Sequence, residues 1–185
     1  MYKIPIAGGP SSGKSTLAEA VHKIFPNSYP VYEPAERVIK CEKAKEAETP
    51  DYQGIFPRTN YPAFLPLVIA ESLELEAAIP SDAKLVIQDR CLIDNIGYGT
   101  YYQYENMFPM LRRYIEAARY TIALFCDPVG EYQVTEVRHE TAAEAAEIQQ
   151  HLAIAYDNSD IPVVHLPDIS LDNRLEIVID TIANL

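Results

Sequence analysis

The chain has no tryptophan and only 7 glycines in 185 residues, set against 13 tyrosines. Its cysteines, Cys41, Cys91 and Cys126, are odd in number and far apart. They make neither a disulfide framework nor the paired spacing of a zinc site, and they fit a reducing, cytoplasmic compartment. Nowhere do about 18 apolar residues run together, so the sequence offers no membrane span. The first residues lack the basic-then-apolar layout of a signal peptide. Basic residues are scarce too: 15 Lys and Arg against 27 Asp and Glu give a formal net charge of −12. That balance argues against a nucleic-acid-binding surface, which needs a basic patch. No Lys or Arg stands between His139 and Arg174, and this stretch reads as a solvated acidic face. There is no internal repeat, low-complexity segment or linker. The expectation is one domain spanning residues 1–185.

What the chain does have is Gly8-Gly9-Pro10-Ser11-Ser12-Gly13-Lys14-Ser15. This fits G-x-x-x-x-G-K-[ST], the phosphate-binding P-loop or Walker A motif. Glycines let the backbone turn tightly with N–H groups pointing inward, and the following helix start completes a cradle for anionic phosphate. Gly8, Gly9, Ser11, Ser12, Gly13, Lys14, Ser15 and Thr16 are therefore the candidate nucleotide-binding residues. Lys14 reaches the β- and γ-phosphates as a point charge, and the Ser15 hydroxyl can ligate Mg²⁺. The context matches: Tyr2 to Ala7 reads as a strand, although Pro5 is unwelcome in a central one. Lys14 to Phe25 reads as a helix, with Leu17, Ala20, Val21 and Ile24 at helical spacing.

Beyond the motif, strand and helix alternate, which predicts a parallel sheet covered on both faces. Further strands are expected at Tyr29–Tyr32, Lys84–Asp89, Tyr120–Phe125 and Pro162–Leu166. Helices are expected at Glu33–Glu48, Ala63–Ile79 and Asn106–Arg119, with Leu65, Val68, Ile69, Leu75 and Ile79 facing inward. Thr49 to Tyr61, with Pro50, Gly54 and Pro57, reads as a loop, and Leu92 to Gly99 as short helical or irregular structure. Thr141 to Glu144 is a capping-box signature. It opens a helix with Ala145, Ile148, Leu152 and Ala155 on one face. Leu171, Leu175, Val178 and Ile182 mark a last helix.

Four residues outside the P-loop are candidates for chemistry. Asp89 ends the third strand, where a carboxylate either holds Mg²⁺ through water or caps the next segment. Arg90 follows it and either clamps a phosphate or acceptor oxygen or forms an ordinary ion pair. Glu33 ends the second strand. It serves either as general base for an acceptor hydroxyl or as a helix N-terminal acid favoured by the macrodipole, with Pro34 in the first turn. Arg138 lies between the fourth strand and the capped helix, where an arginine can close over a triphosphate or remain a solvated charge. Arg112, Arg113 and Arg119 read mainly as helix-surface charges. Tyr98, Tyr101, Tyr102 and Tyr104 crowd one segment, suited to stacking on a planar acceptor or to packing in the core, in a lid or against a second copy. The histidines show no metal-ligand spacing.

The P-loop stretch 8–17, Val-Tyr-Glu-Pro-Ala-Glu-Arg-Val-Ile at 31–39, Gln-Asp-Arg at 88–90 and the Tyr132 to Arg138 stretch occur in this order. Together they resemble a family of bacterial, phage and some eukaryotic P-loop proteins known as AAA-family ATPases. That family is similar to the nicotinamide-riboside kinase domain of bacterial NAD regulators and, more distantly, to deoxynucleoside and thymidylate kinases. The resemblance implies a three-layer α/β fold with a parallel five-stranded sheet in order 2-3-1-4-5. It implies Glu33 as base, Asp89 near Mg²⁺, Arg90 near the acceptor's 5′ oxygen, and Arg138 as a lid arginine. Cys91 stands where the kinases have Ser, and no aromatic-and-glutamine set is assignable to a nucleobase.

The leading expectation is an ATP- and Mg²⁺-dependent kinase acting on a nucleoside- or nucleotide-like acceptor. The alternative is a regulatory nucleotide-binding NTPase that hydrolyses slowly without a small-molecule acceptor. The guanine signature Asn-Lys-x-Asp is absent, so GTP preference has no support, and the short chain does not suit an oligomeric AAA motor. A homodimer is compatible with the sequence. Whether Glu33 and Arg90 face an open pocket beside Lys14 discriminates between the two readings.

Overall fold

A computed structural model describes residues 1–130 and 140–185. The described elements run β1 (Tyr2–Ala7), α1 (Lys14–Ile24), β2 (Tyr29–Val31), α2 (Pro34–Glu48), α3 (Pro57–Ala77) and β3 (Leu85–Asp89). They continue with α4 (Asp94–Tyr101), α5 (Phe108–Ala118), β4 (Ala123–Cys126), α6 (Ala142–Asp157), β5 (Val163–Leu166) and α7 (Leu171–Ala183). The sheet is parallel, in order β2-β3-β1-β4-β5, as the resemblance implied. The connection from β1 lies in the middle of this order. The loops after β1, β2 and β3 therefore emerge side by side at the carboxyl end of the sheet, where ligands of open α/β folds bind.

Strand alternation divides the core into two clusters. Ile4, Ile6, Ile87, Leu124, Cys126 and Leu166 face one side and pack against Leu17, Ala18 and Val21 of α1 and Val178 of α7. Ala7, Ala123 and Phe125 face the other, larger cluster with Leu65, Val68, Ile69, Leu111, Ile148 and Leu152. Ile24, at the end of the α1 stripe, is 43% exposed.

Pro5 is tolerated in the central strand for a local reason. Tyr2 donates its N–H to Lys84 and Ile6 accepts from Arg90, so the even positions of β1 bond toward β3. Pro5 faces β4, where regular pairing covers only Ile6 and Ala7. Nearer the start of β1, the Lys3 N–H is taken by the Thr121 hydroxyl at 3.1 Å. The lost donor thus falls where the ladder has not yet begun.

Two element starts differ from expectation by three residues or more. β4 begins at Ala123 rather than Tyr120, because the Thr121 N–H and side chain are spent on Lys3. The stretch 57–61, expected as loop, opens α3. Pro57 occupies a first-turn position, where a missing N–H costs little. The helix then breaks at Asn60 (φ −154°, ψ 69°) and restarts, with the Asn60 side chain accepting from the Ala63 N–H at 3.2 Å. Asn60 thereby caps the second segment, and Pro62 again falls in a first turn. Of the inward residues expected there, Leu65, Val68 and Ile69 are buried, while Leu75 is half-buried and Ile79 lies past the helix end.

The capping box is formed: Thr141 Oγ1 accepts from the Glu144 N–H at 3.2 Å, and Glu144 Oε2 accepts from the Thr141 N–H at 2.6 Å. Among the described residues, no helix is long and apolar enough to cross a membrane.

Candidate nucleotide and acceptor site

The P-loop joins β1 to α1 through an unusual backbone. Gly8 has φ +137°, and a Cβ there would lie 2.6 Å from both the Cys126 carbonyl and Ser12 Oγ. Only glycine fits that close approach. Gly13, at φ +80°, is the N-cap of α1 and supplies no side-chain bond to its first turn. The N–H groups there stay directed at the loop, ready for an anion. Ser11 also has a positive φ, +64°.

Lys14 is buried, and its Nζ donates to the Gly9 carbonyl at 3.4 Å. Burial, and then the neighbouring Arg90 charge, push its pKa below the usual lysine value. A bound polyphosphate would reverse that pressure.

Asp89 closes β3 on the same side. Burial and then the Glu33 charge raise its pKa above the usual carboxylate value, and the Ser15 hydroxyl hydrogen-bonds to it. Its Oδ1 is buried with no hydrogen-bond partner among the described residues. An orphaned anionic oxygen beside a P-loop serine suits a divalent cation. The described residues hold no group of three metal-ligating side chains. A Mg²⁺ site here needs none, because phosphate oxygens and water complete its shell.

Arg90 carries a left-handed backbone, φ +70°, a strained conformation for a bulky residue. That one reversed residue sends Asp89 toward the P-loop and Arg90 toward a separate cavity. Arg90 Nε donates to Glu33 Oε1 at 3.0 Å, and Nη1 donates to Asp94 Oδ1 at 2.8 Å and to the Gly8 carbonyl at 3.2 Å. Its guanidinium lies 5.2 Å from the Tyr98 ring centre. Asp94 is held from behind: its Oδ2 accepts from the Cys91 N–H at 2.9 Å and the Tyr156 hydroxyl at 2.6 Å. Burial pushes the Cys91 thiol up, and its Sγ lies 3.2 Å from the same hydroxyl.

Glu33, Arg90 and Asp94 border a cavity of ≈ 130 Å³. Its walls are Ile39, Phe64, Leu65 and Val68 with Tyr61, Tyr98 and Tyr102; Ser72, Asn95 and Glu140 add polar groups. Tyr61 and Tyr102 stack at 4.2 Å with 21° between planes.

The candidates from sequence thus fall into two adjoining groups. Gly8, Gly9, Ser11, Ser12, Gly13, Lys14, Ser15, Thr16 and Asp89 surround the loop; Glu33 and Arg90 face the cavity. Arg138 and the rest of the Tyr132 to Arg138 stretch lie outside the described residues, as does His139. Arg112, Arg113 and Arg119 are exposed, as expected of surface charges. Of the tyrosine cluster, Tyr98 and Tyr102 line the cavity, and all four members pack on the larger core cluster.

Two supports of the loop escaped the sequence. Gln149 of α6 accepts from the Gly9 N–H through Oε1 and donates to the Cys126 carbonyl at 3.2 Å through Nε2. Arg174 of α7, 2% exposed, donates to the carbonyls of Ser12 (2.7 Å), Pro167 (2.8 Å), Asp127 (2.8 Å) and Leu166 (3.3 Å). The only signal for Arg174 was its isolation at the end of a long stretch without basic residues.

A family model described as an AAA domain matches residues 3–174. The chain belongs to this AAA domain family. Solved structures with the same fold include thymidylate kinase from Candida albicans, at TM-score 0.67 and 16% identity, covering 99% of this chain and 92% of that one. Deoxyadenosine kinase from M. mycoides, solved with dCMP and a flexible dCDP, gives TM-score 0.66 and 15% identity, covering 99% and 100%. A NadR protein in complex with NR gives TM-score 0.69 and 20% identity, covering 99% of this chain and 50% of that one. No curated protein matches the sequence. At these identities the likeness shows a shared P-loop kinase fold.

Proposed function

We propose that this AAA domain is a small-molecule kinase that moves the γ-phosphoryl group of ATP to a hydroxyl of a nucleoside- or nucleotide-like acceptor. One observation carries the reading. Glu33 and Arg90 are paired at 3.0 Å on the wall of an apolar, tyrosine-lined cavity, and Arg90 is bonded to the P-loop at Gly8. A hydrolase needs room only for water beside the γ-phosphate; this cavity has aromatic walls for a planar group.

The chain's residues divide the work. The free backbone N–H groups at the start of α1, with Lys14, hold the triphosphate in register. Ser15 and Asp89 would hold Mg²⁺, which neutralises phosphate charge when bound. Arg90 donates to the acceptor oxygen, and Glu33 accepts the hydroxyl proton as that oxygen bonds to the γ-phosphorus. The bond from the γ-phosphorus to the bridging oxygen breaks, and ADP leaves. Positioning and electrostatics supply most of the rate in such transfers. The fold shared with nucleoside and nucleotide kinases supports this assignment.

Transfer of label from γ-labelled ATP with Mg²⁺ to a panel of nucleosides and nucleoside monophosphates tests it, with Lys14→Ala as control. Labelled acceptor lost with Lys14→Ala is the expected result. Free phosphate alone would replace the kinase with the regulatory NTPase.

A further inference from the structure

The peptide unit between Gly8 and Gly9 is gripped from both sides. Its carbonyl accepts from Arg90 Nη1 at 3.2 Å, and its N–H donates to Gln149 Oε1. A peptide unit is planar, so two bonds on its opposite sides fix its rotation. With glycine at both ends, it would otherwise turn with little steric hindrance. Gln149 is itself anchored, because its Nε2 donates to the Cys126 carbonyl at 3.2 Å.

The grip closes on itself. Arg90 Nη1 spends its second hydrogen on Asp94 Oδ1 at 2.8 Å, and Asp94 Oδ2 accepts from the Tyr156 hydroxyl at 2.6 Å. Gln149 and Tyr156 both belong to α6, about two turns and about 10 Å apart on one face. Between them Leu152 meets Gly97 of α4, where a Cβ would stand 2.9 Å from the Leu152 Cα. Backbone packing therefore holds α4, and Asp94 at its start, directly against α6. The result is a ring: Gln149, the Gly8–Gly9 peptide, Arg90, Asp94, Tyr156 and back along α6. One nitrogen, Nη1, joins its nucleotide half to its cavity half. A shift at either of the bonds made by Nη1 is felt at the other.

Resting on the kinase reading above, we infer that Gln149 and Tyr156 are positioning residues, through which α6 keeps the P-loop and Arg90 in one register. Tyr156 thereby acts on the nucleotide loop without touching it, and Gln149 acts on the phosphoryl acceptor through Arg90.

A double-mutant cycle tests this. Tyr156→Phe removes a hydroxyl whose hydrogen bonds reach only Asp94 and Cys91. Gln149→Met removes the other end of the ring. Affinity for a non-hydrolysable ATP analogue with Mg²⁺ is measured by calorimetry for both variants and their double. Ile148→Val, a buried change on the same helix outside the ring, controls for lost stability, with thermal midpoints taken on every sample. Each ring variant should weaken nucleotide binding by about fivefold, and the double by about the same factor rather than about 25-fold. Ile148→Val should leave the affinity unchanged. With γ-labelled ATP and nucleosides, Tyr156→Phe should also lower kcat by about tenfold or more, because Arg90 is misplaced. Unchanged nucleotide affinity in Tyr156→Phe, or losses that multiply in the double variant, overturns the ring. An unchanged kcat in Tyr156→Phe overturns the positioning of Arg90. A non-additive cycle in a protein that transfers no phosphate leaves the ring standing and overturns the kinase reading.

Discussion

Arg174 Nη1 donates to the Ser12 carbonyl at 2.7 Å across 162 residues of sequence. The same guanidinium ties down three carbonyls at the ends of β4 and β5, so one side chain fixes the P-loop to that side of the sheet. Arg174→Met leaves buried acceptors unpaired and should lower stability by about 3 kcal/mol. Arg174→Lys should recover only part of that, since an ammonium cannot span the same four carbonyls. Urea denaturation midpoints at equal m-values check both.

Gly8→Ala places a methyl group 2.6 Å from the Cys126 carbonyl and Ser12 Oγ, at a φ that L side chains rarely adopt. The strain should cost about 1–3 kcal/mol and remove nucleotide binding, because the loop must open to relieve it. Nucleotide titration followed by fluorescence, with thermal unfolding on the same samples, separates the two effects.

Glu33→Gln keeps the shape of the side chain but not its proton affinity. Transfer should fall by about 100-fold or more, while ATP affinity changes little because the P-loop contacts remain. The split between kcat and the dissociation constant for ATP is the readout. Equal losses in both would assign Glu33 to holding Arg90 instead.

Asp89 yields a pH prediction. Burial and then the Glu33 charge raise its folded pKa above the ordinary carboxylate value. A carboxyl shifted upward binds its proton more tightly in the folded state. Its ionisation therefore costs stability at neutral pH, and that cost disappears as pH falls through the raised value. If Ser15 and Asp89 hold Mg²⁺ as proposed, Mg²⁺-dependent nucleotide binding needs the ionised carboxylate and should weaken over the same interval, above the ordinary carboxylate range. Asp89→Asn should raise the melting temperature of the ligand-free protein at neutral pH and abolish the Mg²⁺ dependence of nucleotide affinity. Melting and binding curves between pH 4 and 8 for both proteins check it, a window set by ordinary carboxylate and histidine pKa values.

How much of this could be read beforehand follows the distance over which residues act. The P-loop was legible because eight consecutive residues make it, and the capping box because Thr141 and Glu144 are three apart. Glu33, Asp89 and Arg90 were legible as strand-end residues, and the sheet order came with the family resemblance. Gln149 and Arg174 were not legible: each reaches the loop from 140 or more residues away, and nothing local marks a side chain that will fold back. The aromatic wall was half visible. Tyr98 and Tyr102 stood in a conspicuous cluster, but Tyr61 sat in a proline-rich stretch that read as loop. Its burial depends on Asn60 capping the restarted helix, a bond between side chain and backbone that composition does not reveal.

The two-sided core also bears on how such a chain can change its chemistry. Leu17, Ala18 and Val21 of α1 and Val178 of α7 belong to one face, whereas Tyr61, Phe64, Tyr98 and Tyr102 belong to the other. Arg90, bonded to the Gly8 carbonyl, joins the P-loop to the cavity wall. Substitutions among Ile39, Phe64, Val68 and Asn95 should therefore reshape the cavity without touching the P-loop. A laboratory retargeting campaign confined to those four positions would start from an intact engine, and drift at the same positions gives a lineage of such chains a short route to new substrates.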